Sequence, residues 1–311
     1  MYISINKAAE ILKGGGIVAI PTETVYGLAG NAFDETAVAK IFAAKERPFF
    51  DPLIVHIAEF GEIEELVAEI PKNAKILAEK FWPGPLTLVL PKKDKVPNLT
   101  TGGLSTVAVR MPKKQIARDI IKLAGFPLAA PSANMFQHLS PTSAEHVFEQ
   151  LGGRIDGIVD GGACEVGIES TVIGFENETP IIYRPGGVAM EMIGHPVSFA
   201  ATPLKEGNLI SPGLLEKHYS PNTPLCLELP NEIPPNSGLL AFGKLPENSS
   251  RFAKILNLSE NGNPIEAAVN LYGMLHKLDS CKLSKIFATL LPKAGLGNAI
   301  NDRLLKARGT A

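Results

Sequence analysis

The chain has 311 residues, 45% of them hydrophobic, and its 30 Lys and Arg nearly balance 32 Asp and Glu, leaving a formal net charge of -2. This length exceeds what one compact core usually holds, so we expect two domains. The charge balance argues against a broad basic face for nucleic acid, so any polyanion site must be local. The three cysteines are far apart and form no CxxC pair, which argues against a zinc site and a disulfide framework.

No apolar run approaches the ~20 residues that span a bilayer. Lys7, Glu10 and Lys13 interrupt the N-terminal stretch, which therefore does not resemble a signal peptide. We expect a cytoplasmic protein with no membrane association.

The first elements place polar groups at strand ends. A short helix is expected over residues 6–13, with Asn6 as its cap. Residues 17–20 form an apolar, β-branched run that predicts a buried strand. Thr24 follows the strand, just before two glycines, and polar side chains at such strand ends commonly line pockets.

A helix over residues 35–45 brings Lys45 and Arg47 together just before a proline, and a strand over residues 52–57 carries His56 near its end. Taken alone, each feature has an ordinary interpretation. Cations favour helix C-termini, and a lone histidine in a strand is more often structural.

Helices over residues 63–70 and 73–81, a strand over residues 86–90 and a mobile surface loop over residues 92–103 are expected next. The alternating strand at residues 106–110 puts Thr106 and Arg110 on one face. Arg110 ends that strand, where sites in α/β sheets tend to lie.

A helix over residues 115–124 and a strand over 126–130 lead into the turn PSAN. Ser132 and Asn134 there offer a hydroxyl and an amide to a ribose or phosphate, although ordinary turns often carry the same pair. The stretch Ser140-Pro-Thr-Ser143 is expected to be the N-terminus of a helix that continues over residues 145–151, with Ser140 or Thr142 able to face an anion.

Strands are expected around residues 157–160, 169–173 and 181–184, and Arg184 ends the last of them before Pro-Gly-Gly. It is the fourth candidate cation, with Lys45, Arg47 and Arg110. Four cations at the ends of helices and strands suit a triphosphate plus a carboxylate better than a general basic surface.

Residues 200–222 lack periodicity and are rich in proline and glycine, so they predict a linker. At ~3.3 Å per residue it reaches ~70 Å, whereas the first domain is ~40 Å across. His218 and Tyr219 are therefore candidates for a lid over the pocket, with a plain tether as the alternative. A second α/β domain follows, with strands over residues 238–242 and 285–290 and helices over residues 263–278 and 297–307.

The strings PTETVYGLAG, KERP, DPLIVH, WPGPLTLVL, VAVRMP, PSAN, SPTS, IESTVI, YRPGG and HYSP resemble, in this order, motifs of the Sua5/YrdC family, the threonylcarbamoyl-AMP synthases. The resemblance covers nearly the whole chain and is to the long Sua5 form. It implies an α/β fold with a YrdC-like twisted mixed sheet and helices in residues 1–199, a linker or lid at 200–222, and a smaller Rossmann-like α/β domain at 223–311.

Carried over by position, the resemblance implies an L-threonine site at Thr24, His56, Arg110, the backbone of Ala130, and Ser170. It implies an ATP site at Arg47, Asp51, Thr106, Ser132, Asn134, Ser140, Arg184 and Tyr219, with Lys45 and Arg47 as the catalytic residues. Mg²⁺ is expected to accompany ATP, with no permanently bound metal.

The implied reaction is a nucleotidyl transfer. L-threonine, bicarbonate or CO₂, and ATP give threonylcarbamoyl-AMP and pyrophosphate. The product passes to a tRNA threonylcarbamoyl transferase, which makes N6-threonylcarbamoyladenosine at position 37 of tRNA. Weak tRNA binding is a further expectation.

Three positions depart from the family pattern. Asp51 stands where the family usually has asparagine, and its charge is unfavourable near phosphates unless a cation or Mg²⁺ offsets it. Phe136 and Gln137 replace Ser-Gly after PSAN, and Leu214 and Leu215 disturb the linker after SPG.

Three alternatives stay open. The first is an RNA-binding YrdC-like module without synthase activity, and the second is a paralogue that has lost the activity. The third is a carbamoyl-transfer enzyme like those of hydrogenase maturation. The last class carries zinc-finger segments, and this chain has no paired cysteines for them.

Overall fold

The computed structural model describes residues 1–194, 198–199 and 218–308. Of the expected linker, only residues 218–222 are described, and its SPG sequence with Leu214 and Leu215 lies outside the described residues. None of the described helices is both long and apolar enough to cross a membrane.

The first domain is built on a ten-stranded sheet that mixes parallel and antiparallel pairs, in the order β10-β9-β8-β4-β5-β3-β6-β2-β1-β7. Its strands are β1 (Val18–Ile20), β2 (Gly27–Asn31), β3 (Ile54–His56), β4 (Leu86–Pro91), β5 (Thr106–Arg110), β6 (Leu128–Ala129), β7 (Gly157–Ile158), β8 (Thr171–Glu176), β9 (Thr179–Arg184) and β10 (Ser198–Phe199). The large mixed sheet confirms the predicted fold class.

Seven α-helices are described in the same domain. They are α1 (Ile5–Lys13), α2 (Glu35–Lys45), α3 (Lys72–Phe81), α4 (Asn98–Thr101), α5 (Gln115–Ala124), α6 (Ala144–Leu151) and α7 (Met190–Ile193). The limits of α2 and α5 are those that the sequence predicts. The start of α1 differs, because Ser4 rather than Asn6 accepts the capping hydrogen bond from Lys7.

Two predictions for the middle of the domain are wrong. Residues 63–70 are not an α-helix. A 3₁₀-helix covers Phe60–Glu65. After it, the backbone N–H of Ala68 donates to the carbonyl of Pro91 at the end of β4. Residues 92–103 are not the mobile surface loop that the sequence predicted either. They contain α4, and the buried Thr100 hydroxyl donates to the carbonyl of Ala32. In both segments, tertiary hydrogen bonds decide the local conformation.

The second domain has a four-stranded, all-parallel sheet in the order β11-β14-β12-β13. A parallel sheet agrees with the prediction of a Rossmann-like α/β domain. Its strands are β11 (Leu225–Cys226), β12 (Ser237–Ala241), β13 (Lys254–Asn257) and β14 (Lys285–Ala288), and its helices are α8 (Pro264–Asp279) and α9 (Gly297–Arg308). Asn263 caps α8 by accepting from the next two free backbone N–H groups, and proline occupies the first helical position.

The two domains share packed surfaces. Three side chains of the first domain, Val25, Leu139 and Ile168, belong to the apolar core of the second. The rings of His146 and His276 stack across the junction with their centroids 3.8 Å apart. Residue 167 approaches α8 so closely that only a glycine fits there.

The contact of Gly167 with α8 gives a test of this packing. A Cβ at Gly167 would lie less than 3.0 Å from backbone atoms of Ala268 and Val269, and Gly162 has a similar positive φ (74° against 76°) with open space around it. We expect Gly167→Ala to lower the free energy of unfolding by about 1–3 kcal/mol more than Gly162→Ala, because overpacking adds to the backbone strain. Chemical denaturation measures the difference; equal losses would contradict the close packing.

Candidate active site

One cavity lies at the ends of several strands of the first domain and is closed by the end of the linker. Its lining includes nine of the residues that sequence comparison assigned to substrates: Thr24, Arg47, His56, Arg110, Ala130, Ser132, Ser170, Arg184 and Tyr219. The parallel register of β3 and β5 sets His56 beside Arg110. Residues far apart in the chain thus meet because the sheet brings their strand ends together.

Arg110 is fixed on one side of this cavity. Its Nη1 donates to the Thr24 hydroxyl at 2.8 Å and its Nη2 to the Glu23 carboxylate at 2.6 Å, while its Nε donates to the carbonyl of Gly84 at 3.2 Å. A guanidinium has five N–H donors, so two stay available for a ligand. The Glu23 pairing fixes the orientation of the guanidinium, and two parallel N–H donors of arginine are the geometry that suits a carboxylate.

His56 lies next to Arg110 and is 2% exposed. Burial, and then the positive charge of Arg110, lower the pKa of His56 to about 3. The ring is therefore neutral near pH 7. Its Nδ1 lies 3.3 Å from the carbonyl of Ile54, so the tautomer that donates there leaves Nε2 as a hydrogen-bond acceptor on a residue that lines the cavity.

Arg47 also lines the cavity and is paired with Asp51. Its Nη2 lies 2.9 Å from the Asp51 carboxylate and donates at 2.9 Å to the carbonyl of Pro52. Burial raises the pKa of Asp51, and attraction to Arg47 and then to Lys45 opposes that change. The extra carboxylate that departs from the family pattern is thus offset by a protein cation.

Arg184 reaches the same cavity from the end of β9. Its Nη2 donates to the carbonyl of Ser170 at 3.0 Å and to its hydroxyl at 3.2 Å. That hydroxyl also lies 2.8 Å from the hydroxyl of Thr87. Ser170 is therefore held between two strands, with Arg184 beside it.

Lys45 does not line the cavity but lies beneath the PSAN turn. Its Nζ donates to the carbonyl oxygens of Ser132 (2.5 Å) and Asn134 (2.6 Å) and to the Asn134 side-chain oxygen (3.3 Å). The ammonium group of Lys45 has three N–H donors, and these three oxygen acceptors match them in number. Burial, and then Arg47, lower the pKa of Lys45. These hydrogen bonds fix the conformation of the turn that contains Ser132. A direct contact of Lys45 with the phosphates stays a prediction.

Thr106 lies four residues from Arg110, at the other end of β5. It lines a second cavity, with Val89 and Tyr183. Between the two cavities, Ile54, Val89, Ala108 and Val172 form an apolar strip on the sheet. Contact of Thr106 with a nucleotide stays a prediction, and it requires the nucleotide to extend along this strip.

The described end of the linker closes the cavity from above. Tyr219 is 1% exposed, its ring lies 4.0 Å from that of His218, and its backbone has a φ of 60°, in the left-handed region. Within the described part of the chain, the Tyr219 hydroxyl and the His218 Nδ1 have no hydrogen-bond partner. A strained backbone and unpaired buried polar groups are typical of a ligand contact, which favours the lid over the plain tether.

Two charged residues of the site were not assigned from the sequence. Glu23 orients Arg110, and Glu169 lines the cavity and accepts a hydrogen bond from the hydroxyl of Ser140 at 2.5 Å. The expectation that residues 140–143 form the N-terminus of a helix is confirmed, because Ser143 caps α6, while contact of Ser140 or Thr142 with an anion stays a prediction. The sequence signal for Glu23 and Glu169 was a charged side chain next to a predicted buried strand. A buried charge must be paired or hydrogen-bonded, so such a residue is a candidate for a site.

Comparison with known proteins gives a consistent result. Residues 10–186 match the Sua5/YciO/YrdC family model, described as "Telomere recombination", and residues 188–309 match "Threonylcarbamoyl-AMP synthase, C-terminal domain". The threonylcarbamoyl-AMP synthase of Pyrococcus abyssi is 42% identical over 98% of this chain and 94% of that protein. The enzyme of the same name from Bacillus subtilis is 40% identical over 98% and 93%.

A solved structure agrees over the same length. The crystal structure of P. abyssi Sua5 complexed with L-threonine superposes with a TM-score of 0.90 at 40% identity, covering 98% of this chain and 94% of that one. The chain therefore belongs to the Sua5/YciO/YrdC family, and it carries the C-terminal domain of the family's threonylcarbamoyl-AMP synthases.

The low pKa of His56 leads to a prediction for ligand binding. Because its pKa is about 3 rather than 6.5, the ring stays neutral from pH 8 down to pH 5. The affinity for L-threonine, measured by calorimetry without nucleotide, is expected to change by less than about two-fold over that range. A ten-fold loss with a midpoint near about 6.5 would show that His56 titrates normally.

Proposed function

We propose that the protein is a threonylcarbamoyl-AMP synthase that uses L-threonine, bicarbonate or CO₂, and ATP. The observation that carries the proposal is one cavity lined by three arginines, Arg47, Arg110 and Arg184. One side suits an amino acid and the other suits phosphates. The names of the relatives and the L-threonine in the P. abyssi Sua5 crystal structure support the same substrates.

The proposed reaction uses this arrangement in three steps. The threonine carboxylate binds the free N–H groups of Arg110, which leaves the amine near Thr24 and His56. The neutral amine nitrogen bonds to the carbon of CO₂ and releases one proton to water; with bicarbonate the same carbamate forms with loss of water and no net release of a proton. A carbamate oxygen then attacks the α-phosphorus of ATP, and the bond from that phosphorus to the bridging oxygen of pyrophosphate breaks.

The protein's contribution to this chemistry is positioning and charge. Arg47 and Arg184 stabilise the negative charge that grows on the leaving pyrophosphate, and Ser132 and Ser170 offer hydrogen bonds. The neutral His56 accepts a hydrogen bond and is too weak a base to be a strong proton acceptor. No covalent protein intermediate is required, and burial raises the pKa of the Cys164 thiol to about 12, so it stays protonated.

Mg²⁺ enters as part of the ATP substrate. The part of the chain that the structure describes has no group of three His, Cys, Asp or Glu side chains able to hold a metal ion. Mg²⁺ characteristically keeps several waters and uses phosphate oxygens with one or two carboxylates. It would shield the negative charge of the phosphates, and Asp51, which is paired with Arg47, is the carboxylate beside that cation.

The product is a mixed anhydride that transfers its threonylcarbamoyl group readily. We assign it to a tRNA threonylcarbamoyl transferase acting on the adenosine at position 37, which places the protein in the cytoplasm. Weak tRNA contact would serve the transfer, and the near-neutral charge of the chain argues for a small contact rather than a broad one.

Pyrophosphate release from ATP tests the proposal directly. Release is expected to need both L-threonine and bicarbonate, and omission of either is expected to abolish it. Release that ignores threonine would indicate another acceptor or plain ATP hydrolysis. With no release under any condition, salt-dependent tRNA binding would favour the RNA-binding alternative.

The assignment of Arg110 predicts a selective defect. Arg110→Ala removes the carboxylate receptor and leaves Glu23 unpaired, so the KM for L-threonine should rise by about 100-fold or more. The KM for ATP should change by less than about three-fold, since Arg110 lies on the threonine side. Arg154→Ala is the matched control, because Arg154 forms only a surface ion pair with Glu46. Equal increases in both KM values would refute the role.

A further inference from the structure

Glu169 connects the cavity of the first domain to the second domain. It is 5% exposed, lines the cavity and directly precedes Ser170. Its carboxylate accepts from Tyr272 at 3.0 Å and from the Nε of Arg303 at 2.7 Å, as well as from Ser140. Tyr272 lies on α8 and Arg303 on α9, so two of its three side-chain donors belong to the second domain.

The charge of Glu169 is a problem for a nucleotide site. A carboxylate beside bound phosphates repels them unless a cation compensates. Burial alone would raise the pKa of Glu169, but attraction to Arg303, and then to Arg184, outweighs burial and lowers the pKa to about 2. Glu169 is thus ionised near pH 7. Arg303 is 1% exposed and is the nearest compensating charge.

The second domain also fixes the turn and the lid. Ser140 is held at both ends, through its hydroxyl by Glu169 and through its carbonyl by the Nε2 of His276 at 3.2 Å. The guanidinium of Arg303 lies 5.1 Å from the ring centre of Tyr219, within the range of a cation–π contact. Arg303 therefore touches both Glu169 and Tyr219, although it does not itself line the cavity.

We propose that Arg303 of the second domain is a positioning residue for the nucleotide half of the cavity in the first domain. It neutralises Glu169, keeps the Glu169 carboxylate turned toward Ser140 and supports Tyr219 over the cavity. This inference rests on the proposed function, because it concerns the ATP half of that site. It gives the second domain a defined task, which is to complete the nucleotide pocket.

The first experiment replaces Arg303 by methionine, which keeps the length of the side chain and removes its charge. Calorimetry then measures the binding of a non-hydrolysable ATP analogue with Mg²⁺ and, separately, of L-threonine. The dissociation constant for the analogue is expected to rise at least about ten-fold, because one partner of a buried charge pair is lost. That for L-threonine is expected to change by less than about two-fold.

A double variant shows whether the effect passes through Glu169. Glu169→Gln removes the uncompensated charge, so adding it to Arg303→Met is expected to recover much of the lost affinity for the analogue. Additive losses would overturn the proposal. Arg308→Met is the matched control, since Arg308 is an exposed arginine on the same helix.

A merely structural role gives a different result. It would lower the number of binding sites, or kcat, without changing either dissociation constant, and that outcome would overturn the proposal. If Arg303→Met does not fold in a thermal unfolding assay, Arg303→Lys replaces it. Lysine keeps the charge but lacks the planar fork that reaches both Glu169 and Asp302. The analogue should then bind several-fold more weakly, and unchanged binding would overturn the proposal.

The two proposals can fail separately. If the unaltered protein binds the analogue but releases no threonine-dependent pyrophosphate, the synthase function fails while the binding comparison still decides the role of Arg303. Failure of the unaltered protein to bind the analogue would overturn both.

Discussion

The buried carboxylate of Glu169 is the constraint on which the site depends. A carboxylate away from water must be paired and hydrogen-bonded, or its burial is strongly unfavourable. Here the required partners come from the turn at Ser140 and from two helices of the second domain, at Tyr272 and Arg303. The position of the second domain and the shape of the cavity are therefore set by the same group of hydrogen bonds.

The two halves that the proposed function assigns to threonine and to the nucleotide are built differently. The threonine half lies within the first domain, because Arg110, Glu23 and Thr24 hold one another at the ends of neighbouring strands. The nucleotide half is shared, because Arg47 and Arg184 belong to the first domain while Glu169 and Tyr219 are supported by the second. The proposal therefore makes L-threonine binding independent of the second domain and nucleotide binding dependent on it.

Local sequence signals predicted the elements whose limits depend on local chemistry. The helix at residues 35–45 was predictable from its apolar stripe and the proline that follows, and α8 from its Asn-Pro start. Residues 63–70 were mispredicted because their backbone pairs with β4, and the hydrogen bond between Ser140 and Glu169 could not be predicted from local sequence because the two residues lie 29 positions apart. The contact of Arg303 with the site could not be predicted from the sequence, since its partner Glu169 lies 134 residues away in another domain.

The central claim is that one cavity holds threonine and ATP in a reactive arrangement. A crystal structure with L-threonine, bicarbonate and a non-hydrolysable ATP analogue measures it most directly. The account predicts the threonine carboxylate on Arg110 and a carbamate oxygen about 3–3.5 Å from the α-phosphorus, in line with the pyrophosphate leaving group. Threonine bound away from Arg110, or a nucleotide whose α-phosphate lies outside the cavity, would contradict it.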